Sequence, residues 1–274
     1  LTPQPEQAPA APSIAIVVVT KNQRTALERA LEAAGSKHQV IVVDSGSGDG
    51  VGLDPRFKIT RLISLPRHFG LTRALNIGIR AAEAAEYVLL LSPEVELKQA
   101  DIVVLAATLE NEPSTGAVAP LLADATGTAI PQVGDLPSKG DPQPALRAAK
   151  PGERPPFTRG DAILFRSFFL RALRQIDERY GDYGSAAELC QQVRRANKTI
   201  LIHPAVTARA AFTPSPETPA RAADREIGTA RFLSKHKGAV AGWSYLIGRM
   251  FAALFSLQLR KFLLLVQLKK IDGT

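Results

Sequence analysis

An acidic side chain closing an apolar β-branched run is well placed to meet a ligand, and residues 40–50, VIVVDSGSGDG, have that form. The run reads as a buried parallel strand that delivers Asp44, with Ser45 behind it in a Gly/Ser turn, to the carboxyl edge of a sheet. That edge is where open α/β sheets bind ligands. The same carboxylate would equally cap the turn. Residues 66–97, PRHFGLTRALNIGIRAAEAAEYVLLLSPEVEL, carry a second set: Arg73 and Asn76 early in a helical stretch, then an apolar run ending in Ser92-Pro93-Glu94-Val95-Glu96. Glu94 and Glu96 share a face if the backbone is extended there. Absences narrow the chemistry further. No GxxxxGK[ST] is present, which argues against a nucleoside-triphosphatase. His68, His203 and His236 fall in different elements without ligand spacing, and Cys190 is the sole cysteine, so the chain has no disulfide framework or multi-cysteine metal site and suits a reducing compartment.

The elements that position these groups follow from periodicity. Residues 14–19 form an apolar β-branched run ending at Thr20-Lys21-Asn22; residues 25–34 have helix formers with Leu27 and Leu31 four apart. Strands are expected again at 40–43, 59–65, 87–91 and 116–121, with helices at 71–85 and 97–110. Strand alternating with helix calls for a parallel sheet covered on both faces. Residues 124–156 turn to Pro, Gly and small polar types without periodicity and read as a long mobile loop. Order returns with a strand at 159–165, a helix at 167–175, a helix at 186–196 and a last strand in TILIHPAV. The Pro/Ala/Gln-rich residues 1–12 read as a disordered leader without a signal-peptide pattern, and 213–221 as a linker.

Composition sets the class of partner. The chain has 274 residues, 45% of them hydrophobic, and a formal net charge of +8, which suits one sizeable α/β core and an acidic partner. Residues 222–274 read as an amphipathic helical tail with basic positions at Lys235, Lys237, Arg249, Arg260, Lys261, Lys269 and Lys270. No apolar run reaches the ~18 residues of a membrane span. An aromatic-rich face with basic residues suits an anionic membrane surface, and packing on the catalytic domain or on a second subunit, as a homodimer, accounts for it equally. Aromatic and Gly/Arg interleaving is missing, so no nucleic-acid partner is expected.

Residues 40–50 and 66–97, in this order, resemble the nucleotide-sugar-binding half of family-2 glycosyltransferases, and the resemblance extends from about residue 14 to 207. It implies an α/β GT-A fold, a mostly parallel central sheet flanked by helices, here with a C-terminal helical appendage. It places the donor base against Asp44, whose carboxylate can accept from the imide N–H of uracil or thymine, with Thr20 and Ser45 lining the same pocket. GLTRALNIGI is similar to the family's G-x-x-x-A-x-N-x-G helix start, making Arg73 a counter-charge for the diphosphate and Asn76 a polar contact. The family's Asp-x-Asp, or Asn-Pro-Asp in rhamnosyltransferase-like branches, becomes Ser92-Pro93-Glu94 here, so Mg2+ or Mn2+ would sit at Glu94, with Glu96 nearby.

Other motifs are degenerate. The later family motif resembles FDErFFmYgEDvDLcwR, whose Glu-Asp pair supplies the base; this chain reads IDERYGDYGSAAELCQQ, with Ser185-Ala186 in that place. Asp182 and Glu188 are the substitutes in reach. A family His after the last strand is replaced near Arg209, which with Arg73 would clamp the departing diphosphate. The resemblance therefore implies an inverting transfer from a UDP- or dTDP-sugar to a glycan or lipid-linked acceptor, in cell-envelope polysaccharide synthesis at the inner face of the cell membrane. Its degenerate motifs open the alternative of an inactive relative that acts as a scaffold or regulatory partner there.

Overall fold

The computed structural model describes residues 12–48, 50–82, 84–213 and 216–269. The expected leader lies, but for Pro12, outside them, as does Lys270. In chain order the elements are β1 (Ile14–Thr20), α1 (Arg24–Ala34), β2 (Gln39–Asp44), β3 (Arg61–Ser64), α2 (Leu71–Ala81), β4 (Tyr87–Leu91), β5 (Val95–Glu96), α3 (Gln99–Asn111), β6 (Thr115–Ala123) and β7 (Pro131–Gly134). There follow β8 (Arg147–Ala148), β9 (Phe157–Thr158), β10 (Ala162–Arg166), α4 (Ser167–Ala172), α5 (Gly181–Arg195), β11 (Thr199–Ala210), α6 (Pro219–Lys237), α7 (Ala239–Phe255) and α8 (Leu259–Val266).

An eight-stranded sheet in the order β3-β2-β1-β4-β10-β6-β11-β5 forms the centre. Every residue of β1 is buried, because helices cover both faces and the side chains alternate between them. Ile14, Ile16 and Val18 pack with Leu27 and Leu31 of α1 and Ile102 and Leu105 of α3. Ala15, Val17 and Val19 pack with Ala74 and Ile79 of α2 and Leu189 and Val193 of α5. Gly78 lets α2 lie against β1, since a Cβ there would run into Val17. Cys190 belongs to this second layer, and burial pushes its thiol up to about 11.

The sheet is parallel except at two strands. β10 runs antiparallel between β4 and β6, and β5 antiparallel to β11. An antiparallel strand begins where its parallel neighbours end, so Asp161, just ahead of β10, arrives at the carboxyl edge of β4: Ser92 N–H donates to Asp161 O at 2.6 Å.

Two expectations are corrected here. Residues 124–156 are not an aperiodic loop: they contain β7 and β8, which join β9 in a three-stranded sheet of order β8-β7-β9. These strands are too short for alternation to show in the sequence. The linker ahead of the helical tail is also shorter than expected, and the tail is packed on the body. α6 begins at Pro219, inside the expected linker, capped by Thr218, which accepts from Arg221 N–H at 3.2 Å. It packs tightly on α5, where a Cβ on Gly184 would lie 2.8 Å from Gly228 Cα. α5 itself starts at Gly181 rather than at 186, because Asp224 of α6 accepts from Asp182 N–H at 2.9 Å and Tyr183 N–H at 3.4 Å. A remote carboxylate thus supplies the N-cap that the local sequence lacks.

Two buried acids join the tail to the body. Glu188 of α5, 0% exposed, takes Lys235 Nζ at 2.6 Å and His236 Nε2 at 2.6 Å, both from α6. Glu226 of α6 takes Arg249 at 2.7 Å, Lys261 at 3.3 Å, Gln143 at 2.9 Å and the Tyr245 hydroxyl. Burial would raise the Glu188 carboxyl, but the hydrogen bonds from His236 and Lys235 outweigh it and hold the group below its ordinary 4.5. The stabilisation is therefore complete above that value and is lost as pH falls through the depressed folded-state value. We expect Glu188→Gln to cost about 3 kcal/mol at neutral pH, as for a broken buried pair, and to flatten the acid limb of stability. Urea unfolding of both proteins between neutral and acid pH checks this; parallel pH profiles would refute it.

Candidate functional site

The carboxyl ends of β2, β1 and β4 lie side by side, ~4.8 Å apart as neighbouring strands must be. Thr20 and Asp44 are direct partners in the β1–β2 register, and both are 2% exposed. Asp44 Oδ1 accepts from Ser47 N–H at 3.0 Å and Ser47 Oγ at 2.6 Å, so half of the carboxylate caps the Ser/Gly turn. Thr20 Oγ1 is buried without a hydrogen-bond partner, an unusual state for a polar atom beside a binding edge.

Three loops interlock around this pair. Ser45 N–H donates to Thr20 O at 2.8 Å, and Asn22 N–H to Ser47 Oγ at 2.9 Å. Ser45 Oγ meets His68 Nδ1 at 2.8 Å. Gly46, at φ 76°, admits the third loop, since a Cβ would lie 2.6 Å from the Arg67 carbonyl carbon. Sequence reasoning found no role for His68. Burial lowers its pKa first, Lys21 and Arg221 push the same way and Asp182 opposes them, so the imidazole is neutral at pH 7.

The start of α2 is the second part of the site. Gly70 offers no side-chain cap; Asp182 supplies it from α5, Oδ2 accepting from Leu71 N–H and Oδ1 from Thr72 N–H, each at 2.9 Å. Arg73 is exposed one residue further on, its guanidinium 5.0 Å from the Phe69 ring, which Arg67 also faces at 4.8 Å. Ser185 is buried, its hydroxyl 2.9 Å from that of Thr72. Asn76 is spent on a structural tie: its amide donates to Ile176 O at 2.8 Å and Glu178 at 2.9 Å and accepts from Ile176 N–H at 3.1 Å. With both donors used it has none to offer a nucleotide. Glu188 is also removed from the candidates, because its paired, buried carboxylate has no route to an acceptor.

The third part surrounds Glu94. Its Oε1 accepts from Thr213 N–H at 2.7 Å. Asp161 lies beside it and is ion-paired with Arg159, whose Nε sits 2.6 Å from Oδ2 and whose Nη2 donates to Oδ1 at 3.3 Å; Oδ2 is buried and accepts no hydrogen bond. Burial raises the Asp161 carboxyl, Arg159 pulls it down, and the nearby Glu94 charge raises it further. The only sign of Asp161 in the sequence was an acid opening an otherwise apolar strand. Glu96 does not join this pair: it faces Arg29 at 3.5 Å and Arg209 at 3.8 Å. Arg209, opposite Glu96 in the β5–β11 register, is drawn to that acid rather than to Arg73 on α2.

A family model described as glycosyl transferase family 2 matches residues 15–180. The chain belongs to that family. Solved structures agree with the fold. GalNAc-T7 with UDP, GalNAc and Mn2+ superposes at TM-score 0.66 and 13% identity over 83% of this chain and 48% of its own. Mannosyltransferase PcManGT from Pyrobaculum calidifontis, with GDP-Man and Mn2+, gives 0.58 and 17% over 91% and 80%. S. aureus TarS 1-349 in complex with UDP-GlcNAc gives 0.57 and 14% over 81% and 66%. This chain therefore spans about half of GalNAc-T7 and has the GT-A fold. A search of curated proteins found no match.

Among the described residues no group of three or more His, Cys, Asp or Glu side chains is clustered to hold a metal. Glu94 and Asp161 provide two neighbouring carboxylates, and Asp161 Oδ2 is buried without a hydrogen bond beside the Arg159 charge, which fits Mg2+ or Mn2+ held by one or two carboxylates and substrate phosphates. A cavity of about 230 Å3 beside Leu31, Gly35, Val40 and Phe57 lies at the opposite, amino end of β2 and touches none of these residues.

The capping role of Asp182 is open to measurement. Asp182→Ala should lose about 1–2 kcal/mol of stability, whereas Asp182→Asn, which keeps one of the two acceptor oxygens, should lose less. Equal losses in urea unfolding would show that the carboxylate does not act as a cap.

Proposed function

We propose that this chain transfers a sugar, with inversion, from a UDP- or dTDP-sugar to a hydroxyl of a glycan or lipid-linked acceptor. The observation that supports it best is the orphaned Thr20 hydroxyl beside Asp44 at the carboxyl edge. A pyrimidine base satisfies both groups: its imide N–H donates to the carboxylate, and a base or ribose oxygen meets the hydroxyl. His68, neutral and hydrogen-bonded to Ser45, closes the side of that pocket.

In this reading the acceptor oxygen attacks the anomeric carbon as the bond to the diphosphate oxygen breaks on the opposite face. Arg73, at the first turn of α2, draws the leaving diphosphate by its charge. A divalent cation, when bound, neutralises the same leaving charge, and Glu94 with Asp161 are the residues that would hold it. Asp182 is the acid of the family's base region that stands near the pocket, and we assign it the acceptor proton. Its two N–H donors fix the carboxylate in place, and each oxygen retains a lone pair.

Calorimetric titration with UDP and dTDP, each with and without Mn2+, tests the pocket. Asp44→Ala, Thr20→Val and Arg73→Ala should each weaken binding about 10- to 100-fold, the cost of a lost hydrogen bond or ion pair to a charged group. Asp161→Asn should abolish any gain on adding Mn2+. Unchanged affinity in all four variants would remove this pocket. For the proton, Asp182→Asn should slow donor turnover ~10²–10⁴-fold with little change in UDP affinity; full turnover would leave Asp182 as a cap alone.

A further inference from the structure

The helical hairpin of α7 and α8 has more apolar surface than its own packing uses. Its inner side, with Gly242, Leu246, Ala253 and Leu265, is buried against α6. Its outer side carries Trp243, Ile247, Phe251 and Phe255 on α7, spaced by four, and Leu259 and Leu263 on α8, again four apart. Phe255 is 82% exposed and Trp243 55%. A helix apolar on both sides is normally covered on both, and a contiguous patch of this kind marks an interaction surface.

Charge decides what covers it. Residues 238–269 contain no Asp or Glu. The basic residues divide by partner. Lys235, Arg249 and Lys261, which the sequence offered as lipid contacts, are ion-paired with Glu188 and Glu226. Lys237, Arg260 and Lys269 are exposed and have no acidic partner among the described residues. A second copy meeting this face would set like charges against each other at a dehydrated contact, with no acid from the hairpin to neutralise them. An anionic lipid surface supplies that counter-charge and accepts the aromatic and aliphatic tips at the headgroup boundary. No helix among the described residues is long and apolar enough to cross a membrane, so the hairpin would lie in the plane of the interface.

We propose that the outer face of the α7–α8 hairpin docks in plane on an anionic membrane, through its apolar stripe and through Arg260 and Lys269 at its rim. This does not depend on the nucleotide chemistry. It also gives the protein a fixed attitude on the membrane, because the same α6 that holds the hairpin is joined to α5 through Asp224 and Glu188.

The chain contains a single tryptophan, and it is on this face, so its fluorescence reports the docking directly. With the full chain and vesicles of equimolar phosphatidylcholine and phosphatidylglycerol, the emission should shift to the blue and the protein should sediment with the vesicles. Pure phosphatidylcholine should give neither. Phe251→Glu with Phe255→Glu should reduce vesicle affinity at least 10-fold, and Arg260→Glu with Lys269→Glu should reduce it and flatten its salt dependence. All four positions are exposed, so far-UV circular dichroism and the Tm should stay at the parent values. Equal binding to both vesicle types would overturn the anionic assignment. Absence of vesicle binding, with a concentration-dependent dimer in sedimentation equilibrium that Phe251→Glu abolishes, would overturn the proposal in favour of a second copy.

Discussion

Two helix N-termini in this molecule are closed by carboxylates from another part of the chain, and much else depends on them. Asp224 of α6 closes α5, and Asp182 of α5 closes α2. Each helix start leaves N–H groups that need acceptors, and neither Gly70 nor Tyr180 supplies a side chain for the purpose. The capping therefore runs as a relay from the tail to the edge of the sheet. It sets the first turn of α2, where Arg73 stands, and so links the placement of that cation to the docking of a C-terminal helix. Glycine makes the relay sterically possible. A Cβ on Gly181 would collide with the Asp224 carboxylate, and one on Gly228 would lie 2.5 Å from Tyr180 O.

The direction of one strand has a comparable effect on the electrostatics of the edge. Because β10 runs against β4, its amino end brings Asp161 beside Glu94, and two carboxylates share a partly buried corner with Arg159. That guanidinium pairs with Asp161 and also faces the Phe212 ring at 4.3 Å. The corner is short of one positive charge. At β5 the opposite holds: Glu96 stands between Arg29 and Arg209 and is over-supplied with cations.

Buried acids also determine how the excess positive charge is distributed. Glu188 and Glu226 each gather two or more polar partners, at least one of them a cation, and their unpaired burial would be costly. These pairs specify how α6, α7 and α8 sit on the body more sharply than apolar contact alone, since a cation moved by one helical turn would leave a carboxylate stranded. They also tie Lys235, Arg249 and Lys261 to internal partners, and of these three Lys261 is buried.

The sequence by itself determined the alternation of strand and helix through β4, the burial of β1, β2 and β4, and the arrival of Thr20 and Asp44 at one edge. Those features rest on periodicity within a few residues, and a continuous β-branched run has few other places to go. The tertiary structure alone decided which acids are available. Asp182 is held in place by N–H groups 110 and 111 residues away, Glu188 is occupied by side-chain nitrogens 47 and 48 residues on, and Glu96 by Arg209 across a strand pair. Asp161 became a site residue only because its strand runs antiparallel. Apolar pattern is a local property that a chain displays along its length, whereas the pairing of a charge is settled by whichever distant element packs against it.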